Sequence, residues 1–169
     1  MNDNSFDTTK EIEKVPPPAT STKKYGSTTQ RKFRIFLIFV LVILAIQGWF
    51  GDTVNIFYTP PNGTTPPPYS ISGFFSAVNS LGFTLIWHTW EGILLLVLSI
   101  VLFALSFAWS KSRAVRITSG LGLISVFSAA LGGFLFVMSG FSNGGNSAQM
   151  GGSFIAAFAF YFIALYYSK

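Results

Sequence analysis

Four apolar runs, each bounded by charge, confine this chain more tightly than any other feature. "IFLIFVLVILAIQGWFG" follows Arg34 and stops at Asp52. "GILLLVLSIVLFALSFAWS" lies between Glu91 and Lys111. "ITSGLGLISVFSAALGGFLFVM" begins after Arg116, and "MGGSFIAAFAFYFIALYYS" ends at Lys169. Each is close to the roughly 20 residues that cross a hydrocarbon core of about 30 Å. Backbone polar groups in lipid must be satisfied within the segment, so runs of this kind are helices. The expected fold is an all-α membrane protein: four transmembrane helices in an up-down-up-down bundle. The expected spans are about 34–52, 86–110, 116–138 and 149–168, within a transmembrane domain of residues 33–169.

Only 10% of the residues are charged, against about 25% in soluble domains, which agrees with a membrane chain. The net charge of +5 does not point to nucleic acid, because the basic residues lie in short blocks beside the apolar runs. The chain has no cysteine, which excludes disulfides, thiolate metal sites, thiol redox chemistry and a lipidated cysteine anchor. The first run is too long for a signal peptide and no small-x-small cleavage site follows it, so it is expected to be a retained anchor.

Charge also orients the bundle. All eleven Lys and Arg fall on one side of the expected spans. Lys10, Lys14, Lys23, Lys24, Arg31, Lys32 and Arg34 precede the first span. Lys111, Arg113 and Arg116 lie between the second and third, and Lys169 follows the fourth. By the positive-inside rule both termini are expected in the cytoplasm and the chain in the plasma membrane. Residues 1–32 are polar and basic without an apolar period, and are expected to be a disordered cytoplasmic tail. Such a tail either only fixes topology or also touches anionic lipid or a partner. The outer loop, 53–80, contains the Pro-, Gly- and Thr-rich "YTPPNGTTPPPYS" and continues with an apolar stretch expected to form a short interfacial helix. Asn62 begins an Asn-Gly-Thr sequon on the outer side, a glycosylation candidate.

Small residues decide how membrane helices approach one another. Ser125, Ala129 and Gly133 recur every four residues in the third span. Gly152 with Ala156, and Ser153 with Ala157, do so in the fourth. These two spans are expected to pack tightly. The first span is bulky apart from Ala45 and Gly48, so much of it is expected to face lipid.

Counting outward from the basic ends brings Asp52, Asn55, His88, Glu91, Met138, Gln149 and Met150 to one layer at the outer rim. His88 is the only histidine in the chain. It stands three residues before Glu91, on the same helical face. Neither outer carboxylate, Asp52 or Glu91, has an outer Lys or Arg to pair with. The pair is expected to form one unit at the mouth of the bundle, near Asp52. Trp49, Trp87 and Trp90 fit the outer aromatic belt and Trp109 the inner one. Two readings of the cluster stay open. It marks the membrane interface, or it binds something: His88 with Met138 or Met150 offers an axial pair for haem or soft ligands for copper. A bis-histidine haem would need a second chain. Iron carried by a Glu and a His three apart would need further carboxylates within the spans, which are absent.

No P-loop or GxGxxG is present, and no nucleophile elbow is expected. His88 and Asp52 supply two members of a Ser-His-Asp set without it. The expected class is therefore a small ancillary or structural subunit of a membrane complex, touching lipid and other membrane subunits or itself. The alternative is a haem- or copper-binding redox protein. "GWFGDTVNIF", "HTWEG" and "FVMSG…SAQMGGSFIAAFAFYFIALY" resemble a group of small four-span membrane proteins of archaea and actinobacteria, from about residue 33 onward. The resemblance implies the four-span fold and a shared outer cluster, and no activity.

Overall fold

A computed structural model describes residues 27–57, 70–80 and 82–169. The chain before residue 27 and the Asn62 sequon lie outside these. Five helices follow in order: α1 (Ser27–Phe57), α2 (Ile71–Ser80), α3 (Phe83–Trp109), α4 (Arg113–Met138) and α5 (Gly144–Tyr167). α1, α3, α4 and α5 are each long and apolar enough to cross a membrane. They run up and down in turn, and the chain is an integral membrane protein of four spans. Helix α1 starts earlier than expected, so residues 27–32 belong to a helix and not to the tail. No Pro falls between Gly26 and Pro60, so nothing stops the helix from carrying Arg31 and Lys32 past the apolar run.

In the bundle α1 packs against α3 and α5, and α4 against α3 and α5, so the helices close a ring in the order α1, α3, α4, α5. The start of α1, the end of α5 and the α3–α4 turn share one end, the basic end. The opposite end carries α2 and the α4–α5 turn. α1 contributes Phe33, Leu37, Val40 and Leu44, all essentially fully buried, at three- and four-residue spacing. They meet Leu95 and Leu102 of α3, Val115 and Val126 of α4, and Ala157, Tyr161 and Ala164 of α5. Thus α1 is less lipid-bound than its bulk suggested, although Ile35, Ile38, Phe39 and Val42 do face outward. A second, smaller core closes the far end, where Phe74 and Val78 of α2 pack with Leu85 and Val137. Gly82 joins α2 to α3 at φ 98 and ψ 168, a conformation that favours glycine.

The α4–α5 contact is the most extensive in the bundle, as the small residues implied, but its register differs from the expected stripes. Gly132, rather than Gly133 or Ala129, meets the backbone: a Cβ there would lie 2.9 Å from Met150 N and 3.0 Å from Asn146 O. Ser153 Oγ donates to Ser128 Oγ at 2.9 Å, and Ala157 is fully buried. Gly122 leaves the space that the Tyr161 ring fills, with ring carbons pressed against the position of a would-be Cβ. Gly152 faces outward with nothing within 4 Å of a would-be Cβ.

Side chains fix the ends of α4 and α5. Ser112 Oγ accepts from Val115 N at 3.4 Å, and Asn143 Oδ1 accepts from Gly145 N at 3.0 Å, so each helix starts on a side-chain cap. Arg116 donates from Nη2 to Ser110 O at 2.9 Å and lies over the Phe107 ring.

Candidate functional site

The far end of the α1–α3 seam holds His88, one of the polar side chains that sequence placed at the rim, together with Gln47, which it did not. His88 sits half-buried near the start of α3, its ring against the backbone of Gly51: a Cβ there would lie 3.1 Å from His88 Cε1. Gly51 is thus the feature of α1 that admits an imidazole between the helices. One turn deeper, Gln47 Nε2 donates to His88 O at 3.0 Å and lies over Gly92, where a Cβ would be 3.2 Å from the amide nitrogen. Gly51 and Gly92 therefore face each other's helix through a side chain, one housing His88 and the other Gln47. Gln47 had a signal that went unread: it is the lone polar side chain in the apolar run from Ile35 to Ala45 and on to Trp49.

Glu91 is only 8% exposed. Among the described residues no hydrogen bond or ion pair joins Glu91 to His88, and Asp52 is exposed rather than drawn into the seam. Trp87 stands one turn earlier on α3, four residues before Glu91. Three buried atoms in this region, Gln47 Oε1, His88 Nδ1 and Glu91 Oε2, have no hydrogen-bond partner. Trp87 and Trp90 are about half exposed; Phe83 stacks on Trp87 at 6.0 Å and Phe75 on Trp90 at 5.8 Å. This ring layer brackets the polar seam as an interfacial belt does. Asn55 lies in the last turns of α1, one turn beyond Gly51.

The sulfur candidates belong to other contacts. Met138 packs into the far-end core beside Val137 and Leu85. Met150 lies against α4, its Sδ 3.2 Å from a would-be Cβ of Gly133. His88 is held in the α1–α3 seam, so the three candidates occupy three different environments. Among the described residues no group of three or more His, Asp and Glu stands together.

One further motif falls in the α4–α5 turn. Gly140-Phe141-Ser142-Asn143-Gly144 has the Gly-x-Ser-x-Gly spacing. Phe141 takes a positive φ of 62 there, and the exposed Ser142 Oγ donates to Ser139 O at 2.6 Å. The elbow chemistry requires a strand-to-helix turn, whereas this turn joins two helices. Its serine hydroxyl is committed to a backbone carbonyl, so the spacing serves a helix–helix turn.

A further polar group lies deep in the bundle. Tyr161 of α5 and Ser99 of α3 are fully buried, with Tyr161 reaching across the ring of helices. Ser99 is the tyrosine's polar neighbour, yet neither oxygen attains hydrogen-bonding geometry with a partner, and nor does the buried Ser119 Oγ of α4. Geometry decides between a bond and proximity here, and it favours proximity. No known protein family matches the sequence, and neither a curated protein nor a solved structure matches it.

Proposed function

We propose that this chain is a small ancillary or structural subunit of a plasma-membrane complex, with both termini in the cytoplasm. The observation that carries the reading is one open face of α5. Ala148, Gly152, Ile155 and Ala159 recur at helical spacing on that face and all are exposed. Gly151 and Gly152 have nothing within 4 Å of a would-be Cβ. A face that is small apart from Ile155 gains little from lying against lipid tails, and gains close backbone packing beside its glycine and alanines when another transmembrane helix lies on it. The partner in this reading is a transmembrane helix of another subunit or of a second copy. Membership of the small four-span group of archaea and actinobacteria belongs to the same proposal.

Gentle extraction followed by native mass measurement tests it. The wild-type chain should run as a defined assembly, and Gly152→Leu should run as a monomer that keeps its helical circular dichroism. A wild-type monomer with no bound subunit would overturn the reading. A visible absorption band that disappears in His88→Ala would replace it with the haem or copper reading.

A further inference from the structure

The basic end holds a groove between the start of α1 and the end of α5, about 360 Å³ in volume. Arg31, Arg34 and Lys169 line its upper part, and Ile35 and Ile38 its lower part. On α1 these positions are i, i+3, i+4 and i+7, so one helical face carries both halves of the groove. Gln30 Nε2 donates to Lys169 O at 2.6 Å and ties the two walls together. Lys169 Nζ stands 4.6 Å from the centre of the Tyr166 ring.

Three cations meet here without a side-chain counterion: among the described residues the only carboxylate side chains, Asp52 and Glu91, are at the far end of the bundle. A terminal carboxylate on Lys169 would still leave positive charge in excess. Guanidinium groups offer planar pairs of N–H donors that suit phosphate oxygens. The floor asks for something else. Ile35 is 56% exposed and Ile38 46%, and Ile38 lies about 6 Å further into the membrane than Arg34 at 1.5 Å per residue. A phosphate above and hydrocarbon below describe one molecule. A soluble anion would satisfy only the upper half.

We infer that this groove binds an anionic phospholipid of the leaflet facing the two termini, its phosphate held by Arg31, Arg34 and Lys169 and one acyl chain lying on Ile35 and Ile38. The site is separate from the open face of α5 and does not depend on a protein partner.

The full chain, purified in detergent, is titrated with phosphatidylglycerol or with phosphatidylcholine of the same acyl chains, and retained lipid is counted by native mass spectrometry. One phosphatidylglycerol should be retained with about a tenfold preference, the scale expected when several basic residues act near a headgroup. Arg31→Gln with Arg34→Gln should bring the two lipids to parity, and Arg113→Gln, in the α3–α4 turn, should keep the preference. Helical circular dichroism checks that the double variant folds, and if it does not, Lys169→Gln is read in the same way. Equal retention of both lipids by the wild type, or an undiminished preference in the folded variant, overturns the inference. So does complete displacement of the lipid by millimolar inorganic phosphate, which would make the occupant a soluble anion.

Discussion

Gly132→Ala probes a close backbone approach between α4 and α5. The new methyl carbon would lie 2.9 Å from Met150 N, 3.0 Å from Asn146 O and 3.2 Å from Met150 Cα. All three are backbone atoms of α5, so no side chain can swing aside. Relief requires the start of α5 to move away from α4 by about half an ångström, which loosens dispersion contacts along the seam. Overpacking of this kind costs about 1–3 kcal/mol. The substitution also returns up to about 1 kcal/mol of helix propensity. With the full propensity return the expected net loss is about 0–2 kcal/mol, or a melting temperature lowered by up to about 8 °C for a chain of this size. Gly152→Ala, read on the monomer so that the open face of α5 plays no part, is the matched control, because the same methyl enters open space and only the propensity gain remains. Both variants are measured side by side by thermal unfolding of the isolated chain in one detergent, followed by circular dichroism. If Gly132→Ala melts at or above Gly152→Ala, the α4–α5 register described above is wrong.

Tyr161→Phe should change stability by less than about 1 kcal/mol, because the hydroxyl it removes is buried without a partner and its loss relieves an unmet group. Gly122→Val should instead unfold the chain at much lower temperature, since Gly122 leaves the space that the Tyr161 ring occupies; the same melting assay reads both. Gln47→Leu, which removes the donor to His88 O, should cost about 0.6 kcal/mol, the mean for interhelical hydrogen bonds within membranes. A loss of several kcal/mol in denaturant titration would mean that Gln47 holds more of the seam than this one bond. For topology, cysteines at the exposed Lys111 and Ser142 report opposite ends. An impermeant maleimide on intact cells should label Ser142→Cys and leave Lys111→Cys untouched, and the reverse pattern would invert the proposed orientation.

The number of spans, their approximate limits and the charge asymmetry across them were legible in the sequence because they are one-dimensional quantities. An apolar run is long enough to cross a bilayer or it is not, and a basic block lies on one side of it or the other. Even the tightness of the α4–α5 contact could be read from its glycines and serines. Rotation about the helix axes could not. A helix that meets lipid on one side and protein on the other is apolar all round, so the periodic contrast that marks the buried face of a soluble helix is lost. That is why Gly152 reads as a packing residue in sequence yet faces outward, while Gly132 carries the contact. It is also why α1, bulky along its length, turns out to bury Phe33, Leu37, Val40 and Leu44. The rim cluster divides in the same way. Sequence placed His88 and Glu91 on one helical face, but only the tertiary structure could seat His88 against Gly51, bring Gln47 to its carbonyl, and leave Met138 and Met150 in separate contacts. Length and charge set the depth of each residue in the membrane, whereas its neighbours depend on how four nearly featureless cylinders turn to bring their few small and polar residues together.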